Sequence, residues 1–203
     1  DYTGISVGWG WTANKNAGYY MNDNIVEYNH IHHMMNYLLS DGGGIYLLGW
    51  QNAAHVCYNW IHNIFPYIVG SKGKGIYPDM GASGVLYQGN IIHDVDIGFG
   101  GSGGHESTVI DNIIALCNRS GVIGGDYWWH QQVQYNSNPI VFERNIIALN
   151  RNMILNTGYE PTGNGSLDTS NNIYWNDADG SAEIDGTYAR CLPNGGGLSM
   201  ISL

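Results

Sequence analysis

One short phrase recurs along the chain and limits its possible folds more than any other feature. It reads YNHIHH, YNWIHN, GNIIHD, DNIIAL, RNIIAL and NNIYWN, with an asparagine two residues before an apolar residue. Its asparagines are Asn29, Asn59, Asn90, Asn112, Asn145 and Asn172, separated by 30, 31, 22, 33 and 27 residues. Such a period, without helical periodicity between the phrases, is typical of one coil of a parallel β-solenoid.

A second phrase follows the first in each period and places glycine before apolar residues. It reads GISVG at residue 4, GIYLLG at 44, GIYPDMG at 75, GFGGSG at 98 and GVIGGD at 121. Each period therefore holds at least two strands, which we interpret as joined by glycine turns. The sequence predicts an all-β chain with about six rungs of 22–33 residues over residues 1–176. Residues 177–203 lose the repeat and are predicted to form an irregular cap or edge segment.

The repeated asparagines are expected to have a structural role. Identical amides stacked about 4.8 Å apart on successive rungs can hydrogen-bond along a ladder and satisfy polar groups at a bend. His32, His62 and His93 also recur in register, just after the repeated isoleucine. They are expected to form a partly exposed stack, with a metal or proton-transfer site as the alternative. The first rung begins close to Asp1, so the rungs are expected to continue a longer β-helix.

Composition narrows the possible partners. The formal net charge is -10 with seven Lys and Arg in total, which argues against nucleic-acid binding and disfavours strongly anionic ligands. The chain has no run of about 18 apolar residues, so no membrane span is expected. Fifteen Tyr and seven Trp suit stacking against sugar rings, although most aromatic residues pack in cores and turns.

Two aspartates are not explained by the repeat. Asp41 lies in SDGGGIYLLG and Asp79 in GIYPDMGASG, each beside glycines and a Gly-Ile-Tyr triplet. Glycoside hydrolysis needs two carboxyl groups, one as acid and one as base or nucleophile, about 5 to 9.5 Å apart. Asp41 is equally well interpreted as a turn residue. In a straight strand the two would lie about 20 Å apart, so a bend at residues 42–44 is needed to bring them together.

Several segments in order resemble the bacterial right-handed parallel β-helix proteins of glycoside hydrolase family 141. They are YTGISVGWGWT, NIVEYNHIHH, LSDGGGIYLLG, GIYPDMGASGVLYQGNIIHDV and FERNII, over about residues 2 to 175. The resemblance implies a right-handed parallel β-helix, secreted or at the bacterial cell surface, that acts on plant polysaccharides as α-L-fucosidases or xylanases do. It implies catalytic roles for Asp41 and Asp79, without assigning acid and base.

The resemblance also implies a set of substrate-binding residues and no metal or cofactor. Tyr46, Tyr77 and Trp50 are expected to supply hydroxyl contacts and a stacking surface, and His105 and Glu106 to contact substrate. The chain departs from the family pattern in two places: Met80 replaces an acidic residue in DEGSS, and GFGGSGG replaces a His-rich segment before His105. These departures leave open a domain that binds a glycan without cleaving it.

Two other functions compete with a glycoside hydrolase. A polysaccharide lyase on the same fold would need Ca²⁺ and a Lys or Arg base, and no Lys or Arg is expected to have carboxylates in register. A structural or adhesive β-solenoid that associates end to end into filaments would need no catalytic residues.

Overall fold

The computed structural model describes residues 2–12, 14, 21–67, 73–124, 138, 140–149, 153–156, 167–176, 181–184, 189–190 and 199–200. Within these ranges the chain is all-β, and no helix is long and apolar enough to cross a membrane. The predicted all-β class is therefore confirmed.

Three sheets of hydrogen-bonded strands account for most of the described chain. Sheet A contains β1 (Ile5–Gly8), β4 (Gly42–Leu48), β7 (Gly73–Pro78), β10 (Ile97–Gly101), β13 (Ser120–Gly124) and β16 (Met153–Asn156). Sheet B contains β2 (Ile25–Glu27), β5 (Trp50–Cys57), β8 (Ser83–Gln88), β11 (Thr108–Ile110), β14 (Ile140–Glu143) and β17 (Leu167–Ser170). Sheet C contains β3 (His30–Met34), β6 (Trp60–Ile64), β9 (Ile91–Val95), β12 (Ile113–Ala115), β15 (Ile146–Leu149), β18 (Ile173–Asn176) and β19 (Ser181–Ile184).

The strands alternate among the three sheets in chain order, so three consecutive strands make one coil and six coils stack. Every pairing between coils is parallel, for example Ile45 with Ile76 and Ile61 with Ile92. The predicted parallel solenoid is confirmed, with three strands in each period. Beyond the sixth coil, β19 pairs antiparallel with β18, and β20 (Ala189–Arg190) pairs antiparallel with β21 (Ser199–Met200).

The predicted asparagine ladder is present at the corner between sheets B and C. In each step the side-chain oxygen of one asparagine accepts hydrogen bonds from the backbone N–H and the side-chain amide of the asparagine one coil earlier. Asn59 and Asn90 are joined in this way by two bonds of 3.0 Å. The amide of Asn90 also donates to the carbonyl of Val56 at 2.8 Å. The ladder thus satisfies buried polar groups that the bend would otherwise leave without partners.

The residue before each ladder asparagine has a left-handed backbone. Its φ lies between 54° and 64° in all six coils, although only one of the six is glycine. These residues are Tyr28, Tyr58, Gly89, Asp111, Arg144 and Asn171. A single left-handed residue followed by an extended one turns the chain sharply without breaking the ladder. The six corners are therefore the same turn repeated.

The repeated glycines of sheet A lie inside strands and face the isoleucines of sheet C. A Cβ added at Gly44 would meet Ile61 Cγ2 at 2.6 Å, and one at Gly75 would meet Ile92 Cγ2 at 2.4 Å. Each isoleucine is in the core, at no more than 1% exposure. The interpretation of these glycines as turns is wrong for Gly44 and Gly75, because they leave room for the isoleucine of the other phrase.

Candidate functional site

Asp41 and Asp79 lie at opposite ends of neighbouring strands in sheet A. Asp41 directly precedes β4, and Asp79 directly follows β7. Residues 42–44 belong to β4 without interruption, so the bend proposed there is absent. The left-handed residue is Asp41 itself, with a φ of 58°, as a turn residue would have. The backbone therefore does not bring the two aspartates together. Only side chains, including those of the tyrosines between them, can connect their carboxyl groups.

Asp79 is held in a buried position at the corner between sheets A and B. It is 8% exposed, and its Oδ2 accepts a hydrogen bond of 2.7 Å from the Tyr46 hydroxyl. Its backbone N–H donates to the Leu47 carbonyl at 2.9 Å, and its carbonyl accepts from the Ala82 N–H at 2.8 Å. A Cβ at Gly103 would lie 2.0 Å from that carbonyl, so glycine is needed there. Backbone and side chain together fix where this carboxylate points.

Asp41 is exposed and carries a different set of neighbours. Its side chain is 63% exposed, and its Oδ1 lies 3.3 Å from Lys74 Nζ and 3.3 Å from the Tyr77 hydroxyl, which donates to it. The Tyr2 hydroxyl donates to the Asp41 carbonyl. Asp41 therefore sits beside an ammonium group, while Asp79 sits beside a phenol.

Lys74 was not expected to take part in the site. It is 2% exposed, and its Nζ lies 3.0 Å from the centre of the Tyr77 ring as well as beside Asp41. An ammonium over an aromatic face is attracted by the ring quadrupole, which fixes both groups. Lys74 is in register with Gly43 and Ile97 and reaches Asp41 by the length of its side chain. Asp96, on the next coil, is also buried, and its burial raises its carboxyl pKa against the opposing charges of Arg119 and Lys74. The expectation that no Lys or Arg has a carboxylate in register is wrong for Arg144, which pairs with Asp111 at the same position one coil earlier.

Tyr46 and Tyr77 connect the two aspartates across the outer face of sheet A. They are register partners, and their rings meet edge to face with centroids 5.2 Å apart. Burial raises the pKa of Tyr77 well above its usual range; the charge of Asp79 adds more than that of Asp41. Burial and Asp79 raise the pKa of Tyr46 similarly, so both tyrosines remain proton donors.

The other predicted substrate contacts lie at the corner that also holds Asp79. Trp50 begins β5 and is 8% exposed, and its ring lies 6.0 Å from the ring of His105. His105 is 2% exposed, so these two rings present little surface to a ligand. Glu106 is half-buried at a left-handed turn with a φ of 53°. That these residues contact substrate remains a prediction.

Three exposed aromatic residues near the site were not singled out from the sequence. Tyr2, Trp9 and Trp11 are 48%, 68% and 66% exposed and flank β1, the neighbour of β4. Burial, followed by the charges of Asp41 and Asp79, raises the pKa of Tyr2. Their position could have been inferred from the sequence, because they flank GISVG, which the repeat aligns with the GIYLLG of β4.

The histidine stack is present on sheet C, away from the aspartates. His62 is the register partner of both His32 and His93, with ring centroids 5.4 and 5.0 Å away. His93 Nδ1 lies 2.6 Å from Asp94 Oδ2. Among the described residues no group of three or more His, Cys, Asp or Glu side chains is arranged to hold a metal ion.

Comparison of the chain with models of protein families, with curated proteins and with solved structures finds no match. The site as built consists of two carboxylates with unlike neighbours, two tyrosine hydroxyls between them and exposed aromatic rings beside them. Such an arrangement can hold a polar, uncharged ligand and move a proton to and from it.

Proposed function

We propose that this chain is a glycoside hydrolase-like domain with a right-handed parallel β-helix fold, which binds and cleaves a neutral polysaccharide on the outer face of sheet A. The observation that carries the proposal is that two register partners each bind one aspartate, the Tyr46 hydroxyl donating to Asp79 and the Tyr77 hydroxyl to Asp41. The resemblance to glycoside hydrolase family 141 supports the same two aspartates. It also supports a place outside the bacterial cell, where polysaccharides are found.

The unlike neighbours of the two carboxylates suit the two roles that the reaction needs. Asp41 lies beside the Lys74 ammonium, an environment suited to the carboxylate that acts as base or nucleophile. With Asp41 in that role, Asp79, whose Oδ2 is oriented by the Tyr46 hydroxyl, is left as the group that gives a proton to the leaving oxygen. We therefore assign Asp41 as base or nucleophile and Asp79 as acid.

The rings around the site favour an uncharged sugar chain as substrate. Trp9, Trp11 and Tyr2 are exposed and offer apolar faces on which pyranose rings can stack. The cation of the site, Lys74, is 2% exposed and already beside Asp41, so it is poorly placed to bind an anionic sugar. The net charge of -10 disfavours anionic polymers further.

Hydrolysis assays on a panel of neutral polysaccharides test the proposal. We expect Asp79→Asn to lower kcat on the order of 100-fold or more, because the variant cannot protonate the leaving group. Asp41→Asn should also be inactive. Asp94→Asn, which removes a carboxylate from sheet C, serves as the matched control and should keep full activity. Hydrolysis by Asp79→Asn at the wild-type rate would contradict the assignment.

A non-catalytic structural or adhesive solenoid is the second candidate function. It is favoured by the departures from the family pattern, at Met80 and at residues 98–104, and a parallel solenoid can associate with another copy through free strand edges. End-to-end association through such edges would extend the three sheets into a filament. Sedimentation over a range of concentrations separates the candidates, because a chain that stays monomeric at high concentration cannot form filaments.

A further inference from the structure

The outer face of sheet C carries two straight rows of side chains that the proposed site does not use. The strand pairings place six residues of each row in register, one for each coil. The first row is His30, Trp60, Ile91, Ile113, Ile146 and Ile173. The second row is His32, His62, His93, Ala115, Ala148 and Trp175. We call these twelve residues the sheet C face.

The sheet C face is exposed and uncharged. The aromatic and aliphatic members of the first row, from Trp60 to Ile173, are 38 to 45% exposed, and Trp175 is 40% exposed. Neither row contains Asp, Glu, Lys or Arg, although the chain has a net charge of -10. Charged side chains appear only at its borders, such as Asp94 on one side and Arg144 on the other. An exposed apolar surface with a polar rim is typical of an interaction site.

The rings at one end of the sheet C face are fixed before any ligand binds. His30 stacks on Trp60 with centroids 4.1 Å apart and planes 4° from parallel. The Trp60 indole N–H donates to His93 Nε2 at 2.8 Å, and His30 Nε2 lies 2.8 Å from His62 Nε2. His62 and His93 are parallel to within 4°. A platform fixed in this way loses little conformational entropy on binding.

The dimensions of the face favour a narrow ligand over a protein partner. Five rung spacings of about 4.8 Å give a length of about 24 Å, and rows two residues apart lie about 7 Å from each other. With its side chains, the strip covers roughly 300 Å². A stable protein interface needs about 800 Å² from each partner, so a second copy of this chain would bury too little here. A single extended polymer chain has the right width.

Charge selects among such polymers. The rows hold no Lys or Arg to pair with phosphate, sulfate or carboxylate groups, and the whole chain repels anions. The rings of the first three coils are stacked on one another, so the exposed isoleucines and Trp175 are the side chains that match the apolar faces of uncharged sugar rings. A polymer lying along the rows meets one side chain of each row in every rung, every 4.8 Å or so.

We propose that the sheet C face binds one chain of a neutral polysaccharide, lying parallel to the rows, at a site distinct from the aspartates on sheet A. The inference does not rest on the proposed hydrolysis, since none of its residues belongs to that site. In a catalytic domain the face would hold substrate; in a non-catalytic solenoid it would be the adhesive surface.

Calorimetric titration of the Asp79→Asn variant with cellohexaose, xylohexaose and mannohexaose tests the inference without turnover. Hexagalacturonate, an anionic hexamer, is the charge control. We expect at least one neutral hexamer to bind, and hexagalacturonate to bind more weakly. Adding Trp60→Ala should weaken binding on the order of tenfold, the loss of one aromatic contact. Adding Tyr67→Ala, which removes an exposed ring outside both the sheet C face and the sheet A site, should leave this binding unchanged.

A second variant covers the case in which Trp60→Ala disturbs the neighbouring histidines. Ile146→Lys places a charge in the first row, three coils from Trp60, and should also weaken binding of the neutral hexamer. Absence of binding by all three neutral hexamers would overturn the inference. Binding that survives both variants but is lost in Trp9→Ala would assign the hexamer to sheet A instead. A dimer in sedimentation that Ile146→Lys dissociates would assign the face to a second copy of the chain.

Discussion

Gly75 lies in the middle of β7, where two repeats of the sequence meet. A Cβ at this position would lie 2.4 Å from Ile92 Cγ2 and 2.6 Å from the Gly98 carbonyl oxygen. Ile92 is 1% exposed in the core, and the carbonyl belongs to the next coil, so neither has room to move away. The absence of a side chain at Gly75 is therefore what lets sheets A and C approach each other.

We expect Gly75→Ala to lower the free energy of unfolding by about 3 kcal/mol, at the upper end of the usual cost of overpacking. Denaturant unfolding followed by circular dichroism measures the change. Gly84→Ala is the contrasting variant: its nearest neighbour would be the Trp50 ring at 3.3 Å, and its cost comes mainly from a φ of 75°. A Gly75→Ala variant as stable as the wild type would contradict the packing described here.

Single residues also show which features of the structure could be predicted from the sequence and which could not. The repeats located Gly44 and Gly75, but not the isoleucines that exclude a side chain there, because that contact joins two sheets. Asp41 and Asp79 stood out because the repeat does not explain them. Lys74 did not stand out, because a lysine in a sequence is normally interpreted as a surface cation. Its burial depends on the coils before and after it, which the sequence does not show.

The corner between sheets B and C is the element that repeats most faithfully. In every coil it combines a left-handed residue with a ladder asparagine. The asparagine was predictable, because a buried amide that recurs at rung spacing has a ready partner in its neighbour. The left-handed residue was not, because tyrosine, aspartate and arginine all occupy it and its side chain gives no signal.

Asn112 is the ladder position at which we expect a substitution to lower the free energy of unfolding most. Its Oδ1 accepts two bonds of 2.9 Å from Asn90, and its amide lies 2.9 Å from Asn145 Oδ1. Asn112→Ala removes these partners and leaves buried donors on Asn90 unsatisfied, so we expect a loss of about 3 kcal/mol of unfolding free energy. Thermal or denaturant unfolding measures it.

Asn29→Ala is the matched control for that prediction. Asn29 is the first ladder residue among the described coils, and it is half-buried. Its removal should cost about 1 kcal/mol, since water can reach the groups that it leaves. Equal losses in the two variants would mean that the ladder itself contributes little and that the left-handed turn alone forms the corner.

At the scale of the whole molecule, stability is distributed along the coils. The strands of each coil pair only with those of the coils before and after it, so the total stability is approximately the sum of contributions from neighbouring pairs. The coils differ in what covers sheet C: histidines occupy coils one to three, and isoleucine and alanine occupy coils four and five. Conditions that act on histidine should therefore act on one part of the solenoid.

Acid is such a condition. Burial, followed by the charges of His32 and His62, lowers the pKa of His30 below its usual value of 6.5. The folded chain therefore takes up this proton at lower pH than the unfolded chain. As the pH falls through 6.5, stability contributed by His30 decreases, and the loss is complete below the folded pKa.

We therefore expect acidification to open coils one to three before coils four and five. Hydrogen exchange, corrected for intrinsic rates, should show β3 and its neighbour β6 losing protection as the pH falls below about 6.5, while β12 and β15 keep theirs. His30→Asn, which removes the titrating ring, should reduce the pH dependence at β3 and β6. If all four strands lost protection equally, the strands that carry histidines would be no more sensitive to acid than those that do not. That outcome would contradict the prediction.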